Sequence, residues 1–291
     1  MTGILEDPKT MYPKAEAQQQ ERPGLSSLMH PEPDYGESTY LGSGKLLDRK
    51  VLITGGDSGI GRAVALAFAR EGADVVISYL NEDSDAQETA RLVTSAGRKA
   101  VLAPGDISNE AHSKALIERT VNELGGIDVL VNNAAFQATH ESIQDFSTEE
   151  WDLTFRTNIT AMFWLCKYAE PHLKPGSSVI NTASINSFKP KSTLLAYATT
   201  KGAIQAFTKG LAELWAEKGI RVNAVAPGPV WTPLIPSTMP EEQVAEFGAN
   251  TPLKRPGQPA ELAPVYVLLA SNDGSYITGQ IYGVTGGTVL A

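Results

Sequence analysis

Short apolar runs alternate with amphipathic stretches from about residue 50 to the end of the chain. The apolar runs cover residues 51–54, 74–79, 100–104, 128–132, 178–182, 221–226 and 280–284. Most of them are apolar without interruption, which is typical of parallel β-strands that helices cover on both faces. The pattern therefore predicts seven strands in a sheet buried at the centre of the molecule.

The stretches between these runs show helical spacing of their apolar residues. They cover residues 60–71, 85–96, 110–124, 149–172, 196–218 and 260–270. Ser108 and Ser147 stand just before two of them, where a hydroxyl commonly caps a helix N-terminus. Strands and helices that alternate in this way join through right-handed crossovers. We therefore predict an α/β fold of the Rossmann type, with a doubly wound parallel sheet of seven strands and helices on both faces.

The first 45 residues lack both patterns. They contain a run of three glutamines and five prolines, at positions 8, 13, 23, 31 and 33. Such a composition buries too little apolar surface to offset the entropy of ordering, which favours a flexible or loosely draped tail. The alternative is an arm whose Tyr12, Tyr35 and Tyr40 pack onto its own domain or onto a neighbouring subunit. We expect residues 1–45 to form an N-terminal extension and residues 46–291 a single catalytic domain.

Composition narrows the classes of function. The formal net charge of −9 argues against nucleic acid or an anionic membrane surface as a partner. The single cysteine, Cys166, excludes an intramolecular disulfide, and its apolar neighbours indicate a core thiol. The four histidines show no ligand spacing, so no metal site is predicted. With no membrane-length apolar run and no secretory signal, we expect a cytoplasmic protein.

A glycine-rich turn follows the first predicted strand and opens the first predicted helix. Residues 54–61 read T-G-G-D-S-G-I-G. Glycines permit a tight turn and a close approach of the backbone to a diphosphate, and a helix N-terminus offers N–H groups and a favourable dipole. The turn therefore predicts a dinucleotide site, although its spacing differs from the common G-x-G-x-x-G.

Further short motifs follow this turn in order. They are Asp106-Ile107 after the third strand, Asn132-Asn133-Ala134-Ala135 after the fourth, Asn158 within a helix, Ser184, the Y-x-x-x-K motif from Tyr197 to Lys201, and Pro227-Gly228 with Thr232. In this order and spacing the motifs resemble those of the short-chain dehydrogenase/reductase family. With its N-terminal extension the chain is similar to the bacterial general-stress-type oxidoreductases of that family. Ala135 departs from the family's usual glycine, and Thr285 from the usual aspartate of a V-D-G-G motif.

The resemblance implies a set of site residues. The catalytic residues would be Asn158, Ser184, Tyr197 and Lys201. The cofactor would contact Gly55, Asp57, Ser58, Gly59, Ile60, Gly61, Tyr79, Asp106, Ile107, Asn133, Ala134, Ala135, Tyr197, Lys201, Pro227, Gly228, Val230 and Thr232. The family's asparagine bends its helix and holds water linked to the lysine, and its lysine also binds the nicotinamide ribose.

These residue types suit hydride transfer between an alcohol and a carbonyl compound. A free tyrosine titrates near ~10, too high for a base at neutral pH, but a nearby cation lowers that pKa. Tyr197 and Lys201 are four residues apart on a predicted helix, so they share a face. We therefore predict Tyr197 as general acid/base, with Lys201 lowering its pKa and Ser184 bonding the substrate oxygen.

Cofactor choice depends on the charge near the adenosine ribose. A 2′-phosphate requires Arg or Lys there, but the glycine turn and residues 79–83 offer only Asp57, Glu82 and Asp83 as charged groups. We therefore predict NAD(H) in preference to NADP(H).

The predicted partner is a small alcohol or carbonyl substrate. It would bind beside Phe136, Gln137, Ile185, Asn186 and Phe188, and a mobile flap formed by residues 229–250 would cover it.

Two predicted helical stretches, at residues 151–168 and 197–215, carry apolar residues around most of their circumference. One sheet cannot cover such helices on every side, and in the family they pair between subunits, so a homotetramer or a dimer is expected.

Two other functions stay open. One is a sugar dehydrogenase of the glucose type, and the other is a non-catalytic nucleotide-binding regulator, against which Ser184, Tyr197 and Lys201 argue.

Overall fold

Seven parallel strands form one sheet in the computed structural model, which describes residues 6–290. The strands are β1 (Lys50–Thr54), β2 (Asp74–Tyr79), β3 (Ala100–Pro104), β4 (Val129–Asn132), β5 (Ser178–Thr182), β6 (Arg221–Pro227) and β7 (Ile281–Val284). Their order across the sheet is β3-β2-β1-β4-β5-β6-β7. The order reverses between β1 and β4, so a crevice opens there at the carboxyl ends of the strands. The predicted doubly wound parallel sheet is confirmed.

Helices cover both faces of this sheet. Within the described residues they are α1 (Gly59–Arg70), α2 (Asp83–Ser95), α3 (Glu110–Leu124), α4 (Thr148–Phe155), α5 (Ala161–Ala169), α6 (Leu195–Ala216), α7 (Leu234–Thr238), α8 (Glu241–Ala245) and α9 (Pro259–Ala270). Apolar side chains of α1, α2 and α9 pack against one face, and those of α3, α5 and α6 against the other. Strands β4 and β5 are buried along their whole length, which explains why their sequences do not alternate. No helix in this part of the chain has both the length and the apolar character that crossing a membrane requires.

One predicted helix is interrupted. The sequence predicts a single helix over residues 149–172, but the structure has α4 and α5, joined by a π-helical turn at Arg156–Thr160. This wider turn places the amide of Asn158 against the backbone of Phe136. The hydrogen bonds between Asn158 and Phe136 occur at this π-helical turn. They join residues far apart in sequence, so the periodicity of one helix cannot reveal them.

One of the two predicted helix caps is correct. Ser147 accepts a hydrogen bond from the Glu150 N–H at 3.1 Å and so caps α4. The prediction of Ser108 for α3 is wrong, because Asn109 accepts from the His112 N–H at 3.2 Å. Ser108 instead donates to the carboxylate of Asp106.

The described part of the N-terminal arm, residues 6–45, lies on the same chain's α/β domain. Tyr35 is buried and donates to Ser26 Oγ at 2.8 Å. Tyr40 donates to Glu71 Oε1 at 2.6 Å. Tyr12 donates to Asp34 Oδ2 within the arm at 2.7 Å. The three tyrosines of the alternative, a packed arm, thus bond to groups within this chain, while residues 1–5 of the predicted extension lie outside the described residues.

A buried ion pair fastens the arm to the two helices beside the glycine turn. Arg62 on α1 and Asp85 on α2 lie 3.1 Å apart, and both side chains are almost completely buried. Asp85 also accepts from the backbone N–H and the hydroxyl of Ser26 in the arm. The Arg62 guanidinium lies 4.6 Å from the centre of the Tyr35 ring and donates to the carbonyl of Asp57. The N-terminal arm, the helices α1 and α2 and the glycine turn are therefore all bonded to the same buried ion pair.

Replacement of Asp85 by Asn removes the charge that Arg62 faces in the interior. We expect the free energy of unfolding to fall by roughly 3 kcal/mol, because a buried charge left without its partner is strongly destabilising. Urea unfolding measures this change. The matched control on the same helix is Glu88→Gln, which breaks an exposed pair with Arg91 and should cost less than about 1 kcal/mol. Equally small effects of both variants would contradict the role of the buried pair.

Candidate active site

A cavity of about 1150 Å³ opens at the carboxyl ends of the strands. The glycine turn after β1, the segments that follow β2 to β6, and the first turns of α6 form its walls. Ligands of open parallel sheets bind in this position, where the strand order reverses. The cavity is therefore the candidate site for both a nucleotide and a substrate.

The glycine turn leaves room for a diphosphate. Gly55 and Gly59 have φ values of +60° and +50°, which side chains other than glycine rarely adopt. At Gly61 a Cβ would lie 1.9 Å from the carbonyl oxygen of Gly55. Helix α1 starts at Gly59, and the side chain of Ser58 before it makes no capping bond. The first N–H groups of α1 thus meet the cavity, and this cradle fits the dinucleotide that the sequence predicts.

The residues predicted to contact the nucleotide are brought together, with one difference. The cavity wall includes Gly55, Asp57, Ser58, Gly59, Ile60, Tyr79, Asp106, Ile107, Asn133, Ala134, Ala135, Tyr197, Lys201, Pro227, Gly228, Val230 and Thr232. Gly61 does not line the cavity, because it packs against Gly55. It allows the close approach of the two backbone segments that form the turn. Asn133 donates to the carbonyls of Thr54 and Gly55 and so joins the end of β4 to the turn.

Ser184, Tyr197 and Lys201 converge on the same cavity. Ser184 follows β5, and its Oγ accepts from the Asn186 N–H at 3.1 Å. Tyr197 and Lys201 lie one turn apart on α6, and the Lys201 Nζ is 5.3 Å from the centre of the Tyr197 ring. The same Nζ donates to the carbonyl of Thr182 at 2.6 Å. The end of β5 and the start of α6 therefore fix the three predicted catalytic side chains relative to one another.

Burial dominates the protonation of this pair. It raises the pKa of Tyr197 to about 12, although a hydrogen bond with Ser184 acts in the opposite direction. Burial lowers the pKa of Lys201 to about 7. Both shifts favour the uncharged forms, because ions lose hydration in a cavity. Burial thus sets the direction of both pKa shifts in this structure, and the lowering of the Tyr197 pKa by a protonated Lys201 stays a prediction.

Asn158 stands outside the cavity wall and is almost completely buried. Its Oδ1 accepts from the Phe136 N–H at 2.8 Å, and its Nδ2 donates to the Phe136 carbonyl at 2.9 Å. The Nδ2 also donates to Thr200 Oγ1, next to Lys201 in the chain. These contacts hold the loop after β4 in place. The water-mediated link from this asparagine to Lys201, which the resemblance implies, stays a prediction.

Two parts of the site escape sequence reasoning. Thr182 supplies the carbonyl that holds Lys201, and its only sequence signal is its position at the end of β5. Arg22, Pro23 and Gly24 of the N-terminal arm line the cavity. No periodicity or motif marks these three residues, because the arm reaches the cavity through contacts with residues 200 or more positions away in sequence.

Comparisons with known proteins agree with this architecture. A family model described as enoyl-(acyl carrier protein) reductase matches residues 55–289. General stress protein 39 of Bacillus subtilis is 53% identical and covers 96% of this chain and 98% of its own length. The chloroplastic NADPH-dependent aldehyde reductase 1 of Arabidopsis thaliana is 47% identical over 94% of this chain and 97% of its own.

Solved structures show the same fold. A short-chain dehydrogenase from Burkholderia cenocepacia in complex with NADP has a TM-score of 0.79 at 28% identity, and the match covers 84% of this chain and 98% of that one. A 3-ketoacyl-(acyl-carrier-protein) reductase from Brucella melitensis complexed with NADH has a TM-score of 0.76 at 32% identity, over 83% and 98%. The motifs, the sheet order and these matches lead to one conclusion: the chain is an oxidoreductase that belongs to the short-chain dehydrogenase/reductase family.

Proposed function

We propose that this protein interconverts an alcohol and an aldehyde or ketone by hydride transfer, with Tyr197 as the general acid/base. The observation that carries the proposal is the convergence of Ser184, Tyr197 and Lys201 on one cavity that also contains the glycine turn. A hydroxyl, a phenol and an amine at the same wall suit a substrate oxygen that gains or loses a proton.

A nicotinamide dinucleotide, which supplies the hydride acceptor or donor when bound, fits this cavity. We propose that the glycine turn holds its diphosphate, that Lys201 bonds its ribose, and that the other predicted contact residues line its path. The protein's own contribution is the binding, the orientation and the proton transfer.

In the direction of reduction, Tyr197 donates a proton to the substrate oxygen. Burial keeps the phenol protonated at neutral pH, because it raises the pKa to about 12. The Ser184 hydroxyl, which lines the same cavity, stabilises charge that develops on the same oxygen. In the direction of oxidation the phenol must first lose its proton, and a protonated Lys201 beside it favours that loss.

Asn158 enters this proposal as a positioning residue. Its bonds to Phe136 fix one wall of the cavity, and its bond to Thr200 fixes the start of α6. A broad carbonyl reductase and a sugar dehydrogenase would use the same residues. The name of one Arabidopsis relative, an aldehyde reductase, supports the former, and the name of another, glucose and ribitol dehydrogenase homolog 2, supports the latter.

Tyr197→Phe removes the acidic proton and keeps the ring. We expect kcat for carbonyl reduction to fall by about a thousandfold, within the usual contribution of a general acid. Loss of the absorbance of the reduced nicotinamide measures the rate over a panel of aldehydes, ketones and sugars. The control is Tyr276→Phe at a fully exposed tyrosine, which should keep the wild-type rate. A Tyr197→Phe enzyme as fast as the control would refute the acid/base role.

We further propose that NAD(H) is preferred to NADP(H). The cavity wall near the end of β2 includes Asp57 and Glu82, and no basic side chain from residues 79–83. Burial and then the charge of Glu82 raise the pKa of Asp57 to about 7, so an added phosphate would meet one or two carboxylates. Arg62 is buried and already bonded to Asp85. The relatives carry NADP, NADPH or NADH, so the preference rests on these charges alone.

A comparison of kcat/KM for the two cofactors tests this preference. We expect the higher kcat/KM with NAD(H). Glu82→Gln should reduce the ratio of the two kcat/KM values, because it removes one negative charge that repels the 2′-phosphate of NADP(H). Glu88→Gln, an exposed change on the outer part of α2, is the matched control and should leave the ratio unchanged. A preference for NADP(H) of about tenfold, a difference worth ~1.4 kcal/mol, would refute the proposal.

Assembly and location stay proposals. Phe163 on α5 and Leu214 on α6 are 49% and 69% exposed, which supports a homotetramer or dimer through these helices. The molar mass in solution decides it. We also propose a cytoplasmic location, on the basis of the composition. The single cysteine is buried and free, so no disulfide within the chain requires an oxidising compartment.

A further inference from the structure

Residues 20–31 of the N-terminal arm are fixed on the segment 229–250. The Gln20 N–H donates to the Pro236 carbonyl at 2.9 Å, and the Trp231 Nε1–H donates to the Pro31 carbonyl at 2.7 Å. Gly24 between them is buried, and a Cβ there would lie 2.4 Å from the Pro233 carbonyl oxygen. Contacts at both ends and in the middle thus define the path of this part of the arm.

Apolar packing completes the contact. Met29 of the arm is 2% exposed and packs in one cluster with Trp231, Ile235 and Met239. The part of the predicted flap around Trp231, Ile235 and Met239 therefore packs against the arm, whereas residues 240–242 are exposed. The arm thus forms part of the cavity wall.

Arg22 is the charged residue that the arm brings to this wall. Its guanidinium carbon lies 5.4 Å from the centre of the Phe136 ring, and its Nε donates to the Ser237 carbonyl at 3.4 Å. Phe136 is itself held by Asn158. Among the described residues, no carboxylate lies within 4.0 Å of this guanidinium. The guanidinium is thus oriented but not neutralised.

Two lysines add to the positive charge on this side. Lys189 and Lys191 follow Ser184 in the chain and line the same cavity. Lys191 donates to Gln243 at 3.0 Å, and neither lysine has a carboxylate partner in the described part of the chain. The segment 229–250 contributes one carboxylate, Glu246, to the wall. The arm, the loop after Ser184 and the segment 229–250 thus contribute three cations and one anion to the cavity wall, in a chain whose net charge is −9.

We propose that Arg22 is a specificity-determining residue that binds an anionic group of the substrate, a carboxylate or a phosphate. The inference rests on the proposed function, because Tyr197 and Ser184 must handle the carbonyl end of the same molecule. A guanidinium suits this task, since its planar N–H groups can bind two oxygens at once while an aromatic ring supports it. Lys189 and Lys191 would raise the local concentration of anions.

Matched pairs of carbonyl substrates test the proposal. One pair is 4-carboxybenzaldehyde and 4-formylbenzamide, and the other is glyceraldehyde 3-phosphate and glyceraldehyde. We expect the wild type to favour the anionic member of at least one pair in kcat/KM by about tenfold or more, as one charge-assisted contact allows. The pair that shows the preference identifies the anionic group. Arg22→Gln should lower that ratio by about tenfold, mainly through KM, and Arg22→Lys should keep part of it.

Arg91→Gln, at an exposed arginine on α2, is the matched control and should keep the wild-type ratio. Because each ratio is taken within one variant, a partial loss of folded enzyme does not change it. A wild-type ratio near one for both pairs, or an Arg22→Gln ratio equal to that of the wild type, overturns the inference. If the ratio is near one but the wild-type enzyme still reduces the neutral aldehydes, the inference about Arg22 fails and the proposed function stands. If the wild-type enzyme reduces no carbonyl compound at all, the proposed function itself is refuted.

Discussion

The burial of a phenol and an amine beside each other is the constraint on which the site depends. Loss of hydration favours the neutral form of both Tyr197 and Lys201. A phenolate alone or an ammonium alone is therefore costly in this cavity, but each charge stabilises the other. We propose that the two groups titrate as a pair rather than singly. In the proposed mechanism this coupling would let one site supply a proton at neutral pH and accept one when a cation is nearby.

The surrounding fold keeps this pair in place through long-range bonds. The carbonyl of Thr182 at the end of β5 holds Lys201, and Asn158 joins the start of α6 to the loop after β4. Asn133 ties that loop to the glycine turn. The N-terminal arm adds Arg22, Pro23 and Gly24 to the cavity wall. Most of these bonds link elements that lie far apart in sequence, so the geometry of the site depends on the whole α/β domain.

Local patterns sufficed for much of the fold. The predicted runs at 74–79, 100–104 and 178–182 coincide with β2, β3 and β5, although three of the five residues of β5 are polar and buried. The ordered motifs located the cavity residues, although their roles stay predictions. Periodicity could not reveal the π-helical turn at Asn158 or the path of the arm, since both follow from distant partners. Spacing placed Tyr197 and Lys201 on one face of a helix, but it carried no information on solvation, which raises the pKa of Tyr197 in this structure.

The pH dependence of kcat/KM for alcohol oxidation, in the wild type and in Lys201→Met, tests the coupling of phenol and amine most directly. Oxidation requires the phenolate, so the rate should rise with pH in both enzymes. In the wild type the ammonium should bring the apparent pKa well below the value that burial alone imposes. In Lys201→Met we predict a shift of that pKa toward about 12, the value that burial gives Tyr197. The same apparent pKa in both enzymes would contradict the account.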